Sequence, residues 1–239
     1  MPWRRNGGRF PVTAASSSGR LEPCLALIFD MDGVVIDSNP VHREVWAAFN
    51  RSYGIETTEA MLQRMYGKRN DEIVRDFFGD DLSNEEVTRR GAAKERLYRE
   101  AIAGRVEQML VPGLKAFLQE YGGARMAVAT NAEPENVALV LDQGGIRSYF
   151  QVVLDGHHVR KPKPDPEIYR LAAQRLGVAE ANCIVFEDSK SGVQAARDAG
   201  MRIAGLLTTE DNLPCVNVCA NNFLSENLRA WLARQQCVS

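Results

Sequence analysis

Four short segments of the chain concentrate acidic residues together with a hydroxyl, an amide or a lysine. In chain order, these segments are Asp30-Met31-Asp32-Gly33, Thr130-Asn131, Lys161-Pro162-Lys163-Pro164-Asp165 and Glu187-Asp188. If the four carboxylates outside the lysine segment lie close together, they repel one another unless a divalent cation and a lysine offset their charge. Oxygen-only ligands favour Mg2+ over Zn2+. A cation, a hydroxyl, backbone N–H groups and a lysine can together bind a phosphoryl group and stabilise the charge that develops during its transfer.

Five short apolar runs indicate the strands that position these segments. The runs are 25–29, 126–130, 152–154, 184–186 and 203–207. Each run is continuous rather than alternating, which is typical of parallel strands covered on both faces. The carboxyl ends of such strands open into one crevice, so we expect the polar segments that follow them to converge there. Each segment alone is commonly a turn, a helix cap or an exposed loop, but their placement at successive strand ends predicts one site.

Helical patterns separate most of the apolar runs, and this alternation predicts an α/β fold with a doubly wound parallel-sheet (Rossmann-like) core. Residues 38–110 show only helical apolar patterns, and Ser83 and Glu86 have the spacing of a capping box. We therefore predict an all-helical cap inserted after strand 1. The predicted division is a leader at 1–22, a catalytic core at 23–37 and 111–239, and a cap at 38–110.

The composition narrows the classes of partner that we expect. The chain has 239 residues and a formal net charge of -2, which gives no reason to expect a nucleic-acid partner. It has no apolar run of membrane-spanning length, so no membrane partner is expected either. The five cysteines are odd in number and irregularly spaced, which favours a reducing, cytoplasmic location over a disulfide framework. The Arg-rich leader could alternatively be an organelle-targeting segment.

The four segments resemble the four motifs of the haloacid dehalogenase-like superfamily. The matching stretches are Phe29-Asp30-Met31-Asp32-Gly33-Val34, Ala129-Thr130-Asn131, Lys161-Pro162-Lys163-Pro164-Asp165 and Phe186-Glu187-Asp188-Ser189. The resemblance covers roughly residues 24–235, and together the motifs are highly specific. The helical insert resembles the cap of the β-phosphoglucomutase-like subgroup. This family implies a small phosphorylated metabolite as partner, and the short insert-bearing architecture is compatible with a monomer or weak dimer.

The resemblance also implies the catalytic roles. Asp30 would be the nucleophile that forms an aspartyl-phosphate. Asp32 would protonate the leaving oxygen and then deprotonate the next nucleophile. Lys161, rather than Lys163, occupies the family's lysine position and would neutralise charge around Asp30. Because the family's dehalogenases and phosphonatases lack an aspartate at the position of Asp32, this residue favours phosphate esters as substrates.

The resemblance further implies which groups would hold the cofactor and the phosphoryl group. Mg2+ would be held by Asp30, by the backbone carbonyl of Asp32 and by Asp188, with Glu187 as a nearer or water-mediated partner. The phosphoryl oxygens would be bound by Thr130 and by the amide of Asn131.

Cap residues bear on the choice between hydrolysis and mutase chemistry. His42 and Lys94 lie at or near cap positions of β-phosphoglucomutases and favour a mutase. Mutases, however, carry Gly-x-x-Arg in the cap, and Asn70 stands at that arginine position, with Lys68 and Arg69 as possible substitutes. We therefore expect a phosphatase acting on small phosphomonoesters such as sugar phosphates.

Two alternatives remain open, and a third class of protein can be excluded. The first is a β-phosphoglucomutase-type mutase, and the second is a catalytically silent phosphate-binding relative. A phosphorelay receiver domain also combines acids, a hydroxyl and a lysine on a similar sheet. Receiver domains have no helical insert after strand 1, however, and their phosphorylated aspartate follows the third strand, whereas Asp30 follows the first.

Overall fold

The computed structural model describes residues 21–238 and contains one six-stranded, all-parallel sheet. The strands are β1 Ala26–Phe29, β2 Arg125–Ala129, β3 Val152–Leu154, β4 Cys183–Glu187, β5 Arg202–Leu206 and β6 Val218–Ala220. Their spatial order is β3-β2-β1-β4-β5-β6. The predicted fold class is confirmed, and the five predicted runs correspond to β1–β5. The sixth strand was not predicted because its three residues lie at the sheet edge, where two of them are only half-buried.

Strand β1 lies in the middle of the sheet and pairs in parallel with both β2 and β4. All four of its residues are buried, since successive side chains point to opposite faces and both faces are covered. Leu27 and Phe29 join one core cluster, and Ala26 and Ile28 join the other. This central, fully buried strand ends directly before Asp30, so the backbone of Asp30 is anchored in the middle of the sheet.

Helices connect the strands and cover both faces of the sheet. They are α1 Asn39–Arg51, α2 Glu59–Met65, α3 Asn70–Phe78, α4 Asn84–Ile102, α5 Val106–Met109, α6 Leu114–Glu120, α7 Pro134–Gln143, α8 Glu167–Leu176, α9 Lys190–Asp198 and α10 Glu226–Leu232. Two short 3-10 helices lie at Arg147–Tyr149 and Glu180–Asn182. The alternation of strand and helix from β2 onwards is the doubly wound arrangement that the sequence predicted.

Residues 38–110, here called the cap, are all described and contain no strand of the sheet, so the predicted helical insert after β1 is confirmed. Helices α1–α4 share an apolar cluster of their own, which includes Trp46 and Phe77. Ser83 caps α4 by accepting a hydrogen bond from the backbone N–H of Glu86. The Glu86 side chain bonds to Arg89 and Arg90, so only this half of the predicted capping box forms. The chain enters and leaves the cap side by side, where Asp37 donates to the carbonyl of Met109 at 2.8 Å.

The sequence favoured reduced cysteines over a disulfide framework, but the structure contains one disulfide. Cys24 and Cys237 form a disulfide that joins the segment before β1 to the C-terminal segment, with their Cα atoms 6.1 Å apart. A sequence separation of 213 residues gave no signal for this pair, because only the fold brings the two segments together. Cys183, Cys215 and Cys219 are free thiols.

Two remaining features concern the membrane and the leader. None of the helices within residues 21–238 has the length and apolar character needed to cross a bilayer. The predicted leader lies almost entirely outside the described residues, which begin at residue 21.

Candidate active site

The carboxyl end of the sheet brings the four polar segments together, as their positions in the sequence predicted. Asp30 follows β1, Thr130 follows β2, Glu187 ends β4, and all three side chains are buried. Backbone hydrogen bonds fix two of these ends, since Asp30 donates to the carbonyl of Phe186 and Thr130 donates to that of Leu154. One cavity between core and cap is lined by Asp30, Asp32, Thr130, Asn131, Lys163 and Asp188.

The lysine of the site is Lys163, so the expectation that Lys161 lies against Asp30 is wrong. The Nζ atom of Lys163 is 2.8 Å from Asp30 Oδ1 and 2.7 Å from Glu187 Oε1, and its side chain is 2% exposed. Lys161 is 75% exposed and pairs only loosely with Asp165 at 3.7 Å. Both lysines lie in one loop, and Asn131 Oδ1 accepts a hydrogen bond from the backbone N–H of Lys163 at 3.3 Å. The backbone N–H of Lys161 donates instead to Glu167, so the two lysines are held on different sides of the loop.

Glu187 has both carboxylate oxygens engaged within the protein. Lys163 and the Tyr169 hydroxyl donate to Oε1 at 2.7 and 2.6 Å. The Ser189 hydroxyl and the backbone N–H groups of Asp188 and Ser189 donate to Oε2. Burial raises the pKa of Glu187, but the charge and hydrogen bond of Lys163 outweigh it and hold the pKa below its usual value. Glu187 therefore positions Lys163, and its oxygens are less available to a cation than those of Asp30 and Asp188.

Asp188 carries negative charge that the protein does not fully offset. Burial, with the nearby charges of Glu187 and Asp30, raises the pKa of Asp188 well above its usual value. Its Oδ2 atom accepts from Asn39 at 3.2 Å and from Thr209. Neither Asn39 nor Thr209 was predicted, because each comes from a segment that carries no motif.

The donor set fits a divalent cation. Carboxylate oxygens of Asp30, Glu187 and Asp188 lie within 4.8 Å of one another. Burial raises the pKa of Asp30 to about 7, although Lys163 opposes this shift. An excess of buried negative charge on oxygen-only donors is the environment that Mg2+ stabilises. The carboxylate of Asp32 is turned towards the cap and does not belong to this group, so only its backbone carbonyl could take part.

Asp32 lies at the boundary with the cap. Ser38 donates to its Oδ1 atom at 2.5 Å, and His42 Nε2 lies 3.4 Å from the same atom. Burial raises the pKa of Asp32, but the hydrogen bonds from His42 and Ser38, together with nearby positive charge that includes Lys94, outweigh burial and lower it. Asp32 is therefore ionised in the free protein at neutral pH, ready to accept a proton.

His42 and Lys94 extend this contact into the cap. The Nζ atom of Lys94 lies 2.8 Å from His42 Nδ1 and 2.7 Å from Glu95 Oε1. An ammonium group can only donate, so Nδ1 accepts and the proton of a neutral His42 sits on Nε2, facing Asp32. Lys94 is buried with its ammonium 5.0 Å from the ring centre of Trp46, which rules out a solvated helix face.

The remaining predicted binding residues divide between the cavity and its surroundings. Lys68 and Asn70 line the cavity, and Lys68 Nζ lies 3.9 Å from Asp76 Oδ2. Arg69 does not line it, because its guanidinium donates to the backbone carbonyls of Gly156 and Val159 and so ties the cap to the core. Asn131 lines the cavity but also donates to the carbonyl of Gly67 at 2.8 Å, which is a second tie between core and cap.

Gly192 is required by the position of Glu187. A Cβ atom at this position in α9 would overlap Glu187 Oε1. We expect Gly192→Ala to destabilise the protein by about 1–3 kcal/mol and to reduce any activity that depends on Lys163. Glycine-to-alanine changes inside helices ordinarily stabilise a protein by about 0.5–1 kcal/mol, so a lower stability of Gly192→Ala would indicate the overlap with Glu187. Urea unfolding measures the free energy of unfolding of the variant.

The matched control for this prediction is Gly123→Ala. Gly123 is exposed, and an added Cβ atom there meets nothing within 4 Å. We expect an unfolding free energy close to that of the unmodified protein. Equal stability of the two variants would contradict the close packing of Glu187 on α9.

Comparisons with known proteins show which family the chain belongs to. The family model described as haloacid dehalogenase-like hydrolase matches residues 24–200. The fructose-1-phosphate phosphatase YqaB of Escherichia coli is 34% identical over 178 residues, which are 73% of this chain and 92% of that protein. The phosphorylated carbohydrates phosphatase of Thermotoga maritima is 35% identical over 189 residues, which are 76% and 85% of the two chains.

Among solved structures, a β-phosphoglucomutase from Clostridium difficile superposes with a TM-score of 0.78 at 24% identity, covering 87% of this chain and 96% of that one. That likeness shows the shared fold. The chain belongs to the haloacid dehalogenase-like hydrolases. Within that family its relatives are β-phosphoglucomutase-like phosphatases, which is the subgroup that the helical insert resembles.

Proposed function

We propose that the protein is a Mg2+-dependent phosphatase that hydrolyses small phosphomonoesters, in particular sugar phosphates. The reaction passes through an aspartyl-phosphate on Asp30. The observation that carries this proposal is the arrangement around Asp30. Its Oδ1 atom is held by Lys163, while Thr130, Asp188 and Asp32 line the same cavity. The two sequence relatives described above are named as phosphatases of phosphorylated carbohydrates.

The residues of the site can divide the reaction into two steps. In the first, an oxygen of Asp30 attacks phosphorus, the bond to the ester oxygen breaks, and Asp32 delivers a proton to the departing alkoxide. In the second, Asp32 takes a proton from water, the water oxygen attacks phosphorus, and inorganic phosphate leaves Asp30. Lys163 offsets the charge around Asp30, and the Thr130 hydroxyl faces the cavity where phosphoryl oxygens would bind.

Bound Mg2+ and bound substrate would change the protonation of Asp30 and Asp32. Bound Mg2+ would supply positive charge next to the phosphoryl oxygens and keep Asp30 ionised. Asp32 is ionised in the free protein, so it must gain its proton when substrate enters. A phosphate dianion raises the pKa of a nearby carboxylate, and His42 Nε2 at 3.4 Å keeps the side chain oriented towards the cap.

A mutase remains the second candidate because of one contact. The pair His42 and Lys94 lies at the cap side of Asp32, where it could orient a second hydroxyl of the substrate towards the phosphorylated Asp30. Asn70, which stands where mutases have an arginine, argues against mutase activity. The two activities differ in whether water or a sugar hydroxyl accepts the phosphoryl group.

The test is a phosphate-release screen over sugar phosphates and other small phosphomonoesters, with Mg2+ and with excess chelator. Glucose 1-phosphate is also followed for conversion to glucose 6-phosphate. Phosphate release that needs Mg2+ would support the phosphatase, and isomerisation with little release would replace it by the mutase. Absence of turnover on every ester would favour a catalytically silent relative.

The leaving-group role of Asp32 gives a prediction of its own. We expect Asp32→Asn to slow release from an alkyl phosphate by about a hundredfold or more. Release from p-nitrophenyl phosphate should fall far less in the step that forms the aspartyl-phosphate, because p-nitrophenolate leaves without a proton. Burst kinetics separate that step from hydrolysis. Equal losses in the first step for both esters would contradict leaving-group protonation by Asp32.

A further inference from the structure

Glu133 is an acidic residue of the cavity that the reaction steps above leave unused. It precedes Pro134, the first residue of α7, and lines the cavity together with Asn136 of that helix. Its Oε1 atom lies 3.4 Å from Asn70 Nδ2 in the cap, and its Oε2 atom lies 2.8 Å from His157 Nε2 in the core. Since each carboxylate oxygen can accept two hydrogen bonds, Glu133 retains capacity for a ligand.

The position of Glu133 matters for anions. The start of a helix presents unpaired N–H groups and a partial positive charge, which would favour a phosphate group. At the start of α7 the carboxylate of Glu133 does not cap the helix, because it is bonded to Asn70 and His157 instead. A phosphate dianion brought to this part of the cavity would therefore also meet the negative charge of Glu133.

Most cations of the cavity are already paired with acidic residues. Lys163 is paired with Asp30 and Glu187, and Lys94 is paired with Glu95. Lys68 is only loosely paired, since it lies 3.9 Å from Asp76, whose carboxylate is bound by Arg64. No arginine within residues 21–238 lines this cavity, and Arg69 is turned to backbone carbonyls of the core. Apart from Lys68, the cavity therefore offers a second phosphate only cations that are already paired and partners that are uncharged or acidic.

We infer that Glu133, together with Asn70, selects polyhydroxylated monophosphates over bisphosphates. The carboxylate accepts hydrogen bonds from substrate hydroxyl groups and repels a second phosphate, while Asn70 supplies an amide that can donate to or accept from a hydroxyl. This inference rests on the proposed phosphatase function, and it narrows the substrate class to sugars or polyols that carry one phosphate.

Fructose 1-phosphate and fructose 1,6-bisphosphate form a matched pair for the test, because they differ by one phosphate at the far carbon. For the unmodified protein with Mg2+, we expect kcat/KM for C1 phosphate release to be at least about a hundredfold higher with the monophosphate. Glu133→Gln keeps the shape and removes the charge. We expect this variant to reduce that preference by about tenfold, which corresponds to ~1.4 kcal/mol.

The control is Glu135→Gln, which makes the same change in net charge two residues away. Glu135 is exposed and does not line this cavity. We expect its preference ratio to equal that of the unmodified protein. Circular dichroism checks that both variants fold. An equal loss of kcat/KM on both substrates in Glu133→Gln would overturn the inference, because it would mean that Glu133 only holds the cap closed through Asn70.

Binding separates failure of this inference from failure of the proposed function. Asp30→Asn protein, which lacks the proposed nucleophile, is titrated calorimetrically with each of the two fructose phosphates in the presence of Mg2+. Tighter binding of the monophosphate, weakened in the Asp30→Asn/Glu133→Gln double variant, would support selection by Glu133 whatever the turnover. Equal or tighter binding of the bisphosphate would overturn it, even if the protein proves to be a phosphatase.

Discussion

Asp30→Asn should abolish phosphate release while leaving the fold intact. An amide is a poor nucleophile and carries no charge, so the aspartyl-phosphate cannot form, and the loss of kcat should exceed about a thousandfold. Asparagine has the same shape as aspartate, and its Oδ1 atom can still accept from Lys163 as Asp30 does at 2.8 Å. A coupled assay for inorganic phosphate measures the loss.

The stability of this variant should not fall at neutral pH or above. Burial raises the pKa of Asp30 to about 7, so folding disfavours its charged form above the pKa that aspartate has in the unfolded chain. A neutral amide removes that penalty. Thermal unfolding without Mg2+ should therefore give a Tm equal to or above that of the unmodified protein.

Asp37→Asn is the matched control, since Asp37 is an exposed aspartate of the same connecting segment. We expect its turnover and its Tm to stay close to those of the unmodified protein. More than trace turnover in Asp30→Asn would refute the nucleophile assignment. Loss of activity accompanied by loss of the folded state would show only that Asp30 is needed for folding.

The strand ends were predictable because their sequence signal is local. A continuous apolar run such as 25–29 is removed from water only when both faces of the strand are buried. A polar residue directly after such a strand lies at the carboxyl edge of the sheet. This reasoning placed Asp30, Thr130 and Glu187 in one crevice, and the structure brings them there. Their chemical roles, and the division into core and cap domains, stay predictions.

Other features depend on contacts that the sequence does not encode locally. Lys161 and Lys163 differ by two positions in one loop, and their backbones are bonded to Glu167 and Asn131, respectively, in contacts that the sequence does not show. Arg69 and Asn70 are adjacent on the cap, yet Arg69 reaches the core backbone while Asn70 faces the cavity. Cys24 and Cys237 meet because the two ends of the described chain run side by side.

Lys163→Met should cause the largest combined loss of stability and activity. Lys163 is buried between Asp30 and Glu187, and its removal leaves two buried carboxylates without a positively charged partner. Breaking a buried ion pair in this way costs about 3–5 kcal/mol. Turnover should fall by at least about a hundredfold, because the charge around Asp30 is no longer offset during transfer. Urea unfolding and phosphate release give the two values.

The loss of stability should depend on pH with a definite sign. In the unmodified protein, Lys163 holds the pKa of Glu187 below its usual value. Without Lys163, burial raises the pKa of both carboxylates, so folding takes up protons. The stability deficit should then shrink as the pH falls from about 7 to 5. A deficit that grows towards acid pH would contradict unpaired carboxylates as its cause.

Two further variants separate the ion pair from other roles of Lys163. Lys161→Met removes the neighbouring, 75% exposed lysine, and we expect it to change stability by less than about 0.5 kcal/mol with turnover retained. Asp30→Asn added to Lys163→Met removes one of the two orphaned charges, so it should restore part of the stability but none of the activity. If Lys161→Met instead lost activity while Lys163→Met kept it, the lysine of the family motif would be Lys161, and the ion pair of Lys163 would serve folding alone.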